Sequence, residues 1–220
     1  MKTIVIAPHP DDEVLGAGGT LFRRKAEGAE LAWLIVTSIS TTMGWSEEKV
    51  ARRRQEIKKI AGLFGFAEVF ELNFPTARLD QIPVSDLVAG ISDAFKRFEP
   101  TEVFLPHPSD VHTDHRIVFD AAASCTKWFR YPSVKRVLAY ETLSESDFGL
   151  VACPRFTPNY FVDIQPFLEE KLQAMSVYES ELGDFPFPRS HEAIRALAKV
   201  RGAASGFSAA EAFELLRERS

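Results

Sequence analysis

Short apolar runs alternate with segments of helical length along most of the chain, and this alternation most constrains the fold. Residues 3–8 (TIVIAP), 31–37 (LAWLIVT) and 102–107 (EVFLPH) are typical of buried strands. Strands buried on both faces and separated by helices form parallel sheets. The alternation therefore predicts an α/β fold, a Rossmann-like three-layer sandwich in which helices flank a mostly parallel sheet.

The remaining elements follow from the same pattern. Further strands are predicted at 68–73, 136–142 and 160–164. Helices are predicted at 15–26, 47–64 with Ser46 as N-cap, 84–98, 117–129, 166–180, 191–203 and 209–217. The chain has no internal repeat, and its Pro-rich turns are too short to be linkers. We therefore predict one domain over residues 1–220.

Composition excludes several classes of protein. The net charge is -5, and the densest basic stretch, Arg52 to Arg54, has acidic neighbours at helical spacing, which predicts a solvated helix face and no nucleic-acid partner. No apolar run reaches the roughly 18 residues that a membrane span needs. Residues 1–20 lack the features of a signal peptide. Cys125 and Cys153 form no CxxC pair, so we expect two buried, reduced thiols and a cytoplasmic protein.

Charge gathers directly after two of the predicted strands. The first strand leads into residues 9–13 (HPDDE), and the fourth leads into residues 107–116 (HPSDVHTDHR). These two motifs contain four of the five histidines of the chain. Ligands of parallel sheets bind beyond the carboxyl ends of strands, at a topological switch point. If the two strands are neighbours there, all four histidines converge on one crevice.

The spacing within the motifs suits a metal. His9 and Asp12 are three positions apart, as are His112 and His115, and residues three apart on a helical turn project to one side. Two imidazoles and one carboxylate are a ligand set for catalytic zinc that leaves a position open for water. A second acid of the motif can then serve as base, and the third can orient its neighbours.

The other two histidines receive no ligand role. His107 lies beside a proline and is expected to shape the loop or support the site. His191 follows Ser190 at a predicted helix start and is expected to be a capping or surface residue.

Residues 16–19 (GAGG) follow the first motif and raise the question of dinucleotide binding. The pattern departs from GxGxxG, and the acidic motif before it would repel a pyrophosphate. We interpret these glycines as residues that let the helix pack closely.

The sequences PHPDDEVLGAGGT and HPSDVHTDHR together resemble the LmbE-like, or PIG-L-like, zinc-dependent N-deacetylases. The resemblance extends to AYETLSES, VDIQPFLEEKLQAM and ALAKVRGAASGFSAAEAFELLR. It implies one Zn²⁺ per chain, with His9, Asp12 and His115 as its ligands. It also implies catalytic roles for Asp11 and His112, and Asp114 between the histidines is expected to hold His112 or a ligand.

The activity implied is removal of an acetyl or acyl group from an N-acetylated sugar or glycoconjugate. Zinc-bound water would attack the amide carbonyl with Asp11 as general base. Zinc and protonated His112 would stabilise the oxyanion, and either Asp11 or His112 would protonate the leaving amine. The exact substrate, the division of the acid and base roles, and the formation of a homo-oligomer stay open.

One loop departs from the family. Many members carry a TxGE-like stretch after the second strand, where this chain has TSISTTMGWSEE, so the substrate pocket is expected to differ. Arg53 matches a family arginine that helps to bind substrate, although an exposed basic face explains it equally well. Trp45 could stack on a sugar or pack against the protein.

Two other functions compete with this one. The first is a mononuclear iron oxygenase, since residues 112–114 (HTD) match part of a facial triad, although those enzymes are typically jelly rolls. The second is a non-catalytic sugar-binding member of the family, against which Asp11 argues because binding needs no base.

Overall fold

The computed structural model describes residues 1–150 and 155–220, so Cys153 lies outside the described residues. Within them, seven strands form one sheet in the order β3-β2-β1-β4-β5-β7-β6. The strands are β1 (Lys2–Ala7), β2 (Glu30–Ser38), β3 (Glu68–Pro75), β4 (Glu102–Pro106), β5 (Arg136–Tyr140), β6 (Tyr160–Asp163) and β7 (Ala210–Glu218). The helices are α1 (Asp12–Ala26), α2 (Glu47–Phe64), α3 (Val84–Phe98), α4 (Thr113–Ser124), α5 (Leu168–Met175) and α6 (His191–Ser205).

The sheet is mostly parallel and is covered by helices on both faces, as predicted. Strands β1 to β5 pair in parallel, and β7 runs antiparallel to both β5 and β6. Alternate residues of β1 enter opposite cores: Val5 and Ala7 pack with α1, α2, α5 and α6, while Ile4 and Ile6 pack with α3 and α4. Cys125 is buried in the second core, as expected. This three-layer arrangement excludes the jelly roll of the oxygenase alternative.

Strands β1 and β4 are neighbours at the centre of the sheet, paired from Thr3 with Glu102 to Val5 with Phe104. The chain continues from β1 to β2 on one side and reaches β4 on the other, so this is the topological switch point. The predicted convergence of the two motifs depends on this adjacency, and the structure confirms it.

The prediction of a helix at 209–217 was wrong. Ala, Glu and Leu favour helices, but these residues form β7, which pairs with two strands. Ala210, Ala212 and Phe213 are buried in the sheet, and the buried carboxylate of Glu211 accepts hydrogen bonds from the amides of Gly19 and Thr20. Tertiary pairing and burial outweigh the local propensity here.

Other element boundaries also differ between the prediction and the structure. Helix α1 begins at Asp12 and α4 begins at Thr113, earlier than predicted, so both motifs end within a first helical turn. The predicted helix at 166–180 is shorter, with α5 preceded by a 3-10 turn at Gln165–Phe167. Ser46 caps α2, where its side chain accepts from the Lys49 amide. No described helix combines the length and the apolarity that a bilayer crossing requires.

The GAGG glycines lie inside α1, where their lack of a side chain allows close packing. A Cβ on Gly16 would lie 2.2 Å from the ring of Tyr140, and one on Gly19 would lie 2.8 Å from Ile164. Both approaches are closer than carbon atoms tolerate, so larger residues would push α1 away from its neighbours. The interpretation of these glycines as packing residues is supported.

Candidate metal centre and active site

Three histidines meet where β1 and β4 end. His9 follows β1, while His112 and His115 lie at the start of α4. The ring centroid of His9 is 4.5 Å from that of His112 and 5.4 Å from that of His115. Residues that are more than 100 positions apart in the sequence therefore share one crevice.

The predicted ligands form a compact donor set. Asp12 Oδ2 lies 3.4 Å from His9 Nδ1 and 3.3 Å from His115 Nε2. Ligand bonds of 2.0–2.1 Å in a tetrahedron place neighbouring donors about 3.3 Å apart. The two nitrogens and the oxygen lie within 4.8 Å of one another, so His9, Asp12 and His115 fit a zinc ion. A second grouping, His9 with His112 and Asp114, also meets that distance limit.

In each predicted ligand histidine, the ring nitrogen that faces away from Asp12 meets another carboxylate. His9 Nε2 lies 3.1 Å from Asp114 Oδ2, and His115 Nδ1 lies 2.8 Å from Asp110 Oδ2. Such contacts fix the ring orientation and leave the other nitrogen free to bind metal. They favour the first donor grouping, because Asp114 acts there as the support of His9. Asp114 was predicted to hold His112 or a ligand, and its carboxylate contacts His9, one of the predicted ligands.

Asp110 is a residue that sequence reasoning missed. It is buried, contacts His115, and accepts a hydrogen bond of 2.6 Å from the Ser146 hydroxyl. It lies inside the second motif, five positions before His115, so its closeness in sequence to a predicted ligand could have indicated a supporting role.

Asp11 stands beside the donor set without joining it. It precedes α1 with a φ of 137°, a conformation that favours glycine and costs a residue with a side chain on the order of 1–3 kcal/mol. Its side chain lies against the cavity described below. Burial, followed by the charges of Asp12 and Glu181, raises the pKa of Asp11 to about 7, against the opposing effect of Arg189 and Arg53. A buried carboxylate near neutral pKa suits a general base.

The third acid of the first motif holds its neighbours, as expected. Glu13 is fully buried, and its Oε2 accepts from the Asp11 amide at 3.1 Å. Its Oε1 accepts from the Tyr178 hydroxyl at 2.7 Å. Burial raises the pKa of Glu13 to about 8. Glu13 thus helps to stabilise the strained backbone at Asp11.

His112 is neutral in this arrangement, contrary to the expectation of a charged imidazole. Its Nδ1 accepts from the Asp114 amide at 3.1 Å and so caps α4. Burial and the adjacent His9 and His115 lower its pKa to about 4. Since Nδ1 acts as an acceptor, the proton lies on Nε2, which can donate a hydrogen bond without carrying a charge.

The predicted convergence of four histidines was wrong by one residue. His107 is fully buried, with Nδ1 2.6 Å from the Ser109 hydroxyl and Nε2 3.3 Å from Glu214 of β7. It anchors the second motif to the sheet and belongs to neither donor grouping. His191 is exposed at the first position of α6, where Ser190 is the N-cap, so its surface role is as predicted.

A cavity of about 520 Å³ opens over the donor set. Its lining combines polar and charged side chains with apolar residues from β2, α2 and the loop between them, among them Ile35, Met43, Trp45, Val50 and Ile57. Trp45 is 39 % exposed and Lys49 lies over its ring. The unusual loop after β2 therefore does line the pocket.

Arg53 also lines this cavity and is mostly buried, unlike its exposed neighbours Arg52 and Arg54. Its Nη1 donates to the Pro10 carbonyl at 2.7 Å, and its side chain pairs with Glu181. The exposed-face explanation is therefore wrong for Arg53. Arg53 contacts the first motif directly, and its contact with substrate stays a prediction.

The residues around Asp11 from the second half of the chain were not predicted. From the segment between α5 and α6, Tyr178 contacts Glu13 and Arg189 contacts Asp11, and Glu181 pairs with Arg189. No motif spacing marks residues so far along the chain, and only the folded structure brings them together.

Comparison with known proteins places this geometry in a family. The chain is 28% identical over 220 residues to the diacetylchitobiose deacetylase of Thermococcus kodakarensis, covering 96% of this chain and 81% of that protein. The N,N'-diacetylchitobiose deacetylase of Pyrococcus horikoshii superposes with a TM-score of 0.77 at 25% identity, covering 98% of this chain and 84% of that one.

A further likeness concerns the fold alone. The 4-carboxy-2-hydroxymuconate hydratase of Pseudomonas putida superposes with a TM-score of 0.76 at 19% identity, covering 100% of this chain and 98% of that one. Overall shape therefore does not specify the reaction. The family model described as PIG-L, GlcNAc-PI de-N-acetylase, matches residues 4–126, and the chain belongs to that family.

Proposed function

We propose that the protein is a zinc-dependent hydrolase that removes the acetyl group from an N-acetylated sugar or glycoconjugate. The observation that carries the proposal is Asp11, a buried carboxylate that lies beside the His9, Asp12 and His115 donors without being one of them. A binding protein needs a metal site or a pocket, but it does not need an additional base held in a strained conformation.

The donor set fits one zinc ion per chain, with Asp114 and Asp110 supporting its histidines. Zinc in this position would lower the pKa of a water molecule and polarise the amide carbonyl. Asp11 would accept a proton at its carboxylate as the amide is attacked, and would deliver it to the leaving amine. His112 would donate from Nε2 to the carbonyl oxygen as negative charge develops there.

This assignment gives the acid and base roles to Asp11 and a hydrogen-bonding role to His112. It is supported by the occupied Nδ1 of His112 and by the low pKa of that ring, because a neutral imidazole is a poor proton source. It replaces the protonated His112 expected from the sequence.

A sugar substrate is supported by the cavity and by the named relatives. The space of about 520 Å³ lies within the range of small-molecule sites and combines hydroxyl side chains with the exposed ring of Trp45. Thr37, Ser38 and Ser40 contribute hydroxyl-bearing side chains to its lining. Two relatives are named for deacetylation of diacetylchitobiose, which supports a substrate that carries an N-acetylated sugar.

The test is amine release from a panel of N-acetylated sugars by zinc-loaded protein, with metal-free protein and the Asp11→Asn variant beside it. We expect the zinc-loaded wild type to release amine from at least one sugar, and the metal-free protein and the Asp11→Asn variant to release little or none. Zinc binding without amine release from any sugar would contradict the hydrolase and leave a binding protein. Addition of water to an unsaturated carboxylate by the same sample would instead indicate the reaction of the hydratase neighbour.

A further inference from the structure

Asp11 is held from three sides, and only one of these contacts reaches its side chain. The Glu13 carboxylate holds its amide, and Arg53 holds the carbonyl of the preceding Pro10. Arg189 Nη1 lies 3.2 Å from Asp11 Oδ2. Within residues 1–150 and 155–220, no donor contacts the other carboxylate oxygen, Oδ1, of this cavity-lining residue.

Arg189 is itself fixed in place. The same Nη1 lies 3.3 Å from Glu181 Oε2, so one nitrogen bridges two carboxylates. Glu181 in turn pairs with Arg53, and the guanidinium of Arg189 lies over the ring of Phe187 at 5.6 Å. The side chain of Arg189 is only 24% exposed. These contacts leave the guanidinium little freedom to move.

From this geometry we infer that Arg189 is a positioning residue that orients the Asp11 carboxylate, with Oδ2 held and Oδ1 left facing the reacting groups. The inference rests on the proposed function, since it is the base of that reaction that is positioned. A carboxylate can rotate about its Cβ–Cγ bond, and a charged hydrogen bond to one oxygen prevents that rotation. Misplacement of a catalytic group by about 1 Å can cost 100-fold in rate.

The first arm of the test is kinetic. Arg189→Met, Arg189→Lys and the wild type are compared on N,N'-diacetylchitobiose, with zinc content measured for each. We expect Arg189→Met to lower kcat about 10- to 100-fold, with KM within about twofold and full zinc. Arg189→Lys and added guanidinium should each restore part of kcat. Arg195→Met is the matched control, because Arg195 also pairs with a carboxylate, that of Glu169, but does not line the cavity.

Two kinetic outcomes would overturn the inference. A raised KM with unchanged kcat would make Arg189 a substrate-binding residue. An unchanged kcat and KM would leave it with no role in the reaction.

The second arm does not depend on turnover. Melting temperatures of the wild type, Asp11→Asn, Arg189→Met and the double variant form a double-mutant cycle. If the two residues are in contact, the shift in the double variant differs from the sum of the shifts in the single variants. We expect the double variant to melt no lower than the less stable single variant. Additive shifts would contradict the contact. If the wild type hydrolyses no amide, the proposed function fails, while this cycle still decides whether Arg189 holds Asp11.

Discussion

The first motif loop (residues 8–13) and the second motif loop (residues 107–115) build one site by different means. Within the second loop, Asp110 orients His115 and the His112 ring caps the helix that follows. Ser146, Glu145 and Glu214 add contacts to this loop from later in the chain. The first loop depends on residues far along the chain: Tyr178 donates a hydrogen bond to Glu13, and Arg189 donates one to Asp11. In the second loop the contact that orients His115 lies within the loop, whereas Glu13 and Asp11 of the first loop are held by the segment between α5 and α6.

This difference matches the work assigned to each loop. Metal binding needs fixed donors, and carboxylates of the second loop hold both predicted histidine donors, Asp110 on His115 and Asp114 on His9 of the first loop. Asp11 must hold a strained φ and an oriented carboxylate, and such strain persists only where surrounding structure over-determines it. We expect changes in the distant segment to affect turnover, and changes at Asp110 to affect the metal.

The largest effect on turnover should come from removing a predicted metal donor, because each loop contributes one histidine to the donor set. His9→Ala and His115→Ala should each lose zinc and lower turnover by about three orders of magnitude or more, because neither loop alone supplies enough ligands. Metal analysis and amine release measure this. His191→Ala, which changes an exposed histidine outside the site, is the control and should match the wild type. Full zinc content in His115→Ala would remove the assignment.

The next effect separates the two acids of the first loop. Asp11→Asn keeps the shape of the side chain but cannot accept a proton, so it should retain zinc and lose about two orders of magnitude in kcat. Asp12→Asn removes a charged donor and should lose zinc. If Asp11→Asn lost the metal and Asp12→Asn kept it, the two roles would have been exchanged.

A smaller effect tests the comparison directly. Asp110→Asn should weaken zinc affinity about 10- to 100-fold, the usual cost of removing a carboxylate behind a ligand histidine. Tyr178→Phe removes only the hydroxyl that binds Glu13, so it should leave zinc affinity unchanged and lower kcat several-fold. Competition with a chelator and steady-state kinetics separate the two. Equal losses of zinc affinity would show that both loops depend on the same support.

The same division decides what could be predicted from sequence. The predicted metal donors, Asp11 and His112 lie in two short motifs, and the parallel sheet follows from apolar periodicity. Local pattern and the family resemblance were therefore enough to predict that these residues lie together. Arg189 lies 178 positions after Asp11, and no pattern joins them. Strand β7 was missed because its Ala, Glu and Leu residues favour a helix locally, while pairing with β5 and β6 decides its structure.

His112 illustrates a different limit. Its place in the motif pointed to a catalytic role, but its protonation depends on which atom lies against Nδ1. That contact is the backbone amide of Asp114, two residues away, and only the geometry of the α4 N-terminus reveals it. Sequence therefore predicted the residue, and structure was needed for its chemical form.

The smallest effect concerns the metal-free protein, in which the first loop holds three groups with raised pKa values. Burial raises that of Asp11 to about 7 and that of Glu13 to about 8. For His9, burial acts in the opposite direction, but hydrogen bonds to Asp114 and Asp12 outweigh it and raise the pKa to about 9. A raised value means that the folded protein keeps a proton that the unfolded chain has lost. Stability is then lost as pH rises through the folded values.

Metal-free protein should therefore melt at a lower temperature at pH 8.5 than at pH 6. Each group lowers the free energy of unfolding by up to about 1.4 kcal/mol per pH unit over the range in which it is protonated in the folded protein but not in the unfolded chain. Zinc should reverse the trend, because metal competes with protons for the histidines and binds better as pH rises. Glu13→Gln does not titrate, so its metal-free form should show a shallower fall between pH 5 and 8. A fall unchanged by Glu13→Gln would contradict the raised pKa of Glu13 and leave Asp11 and His9 as the titrating groups of the first loop.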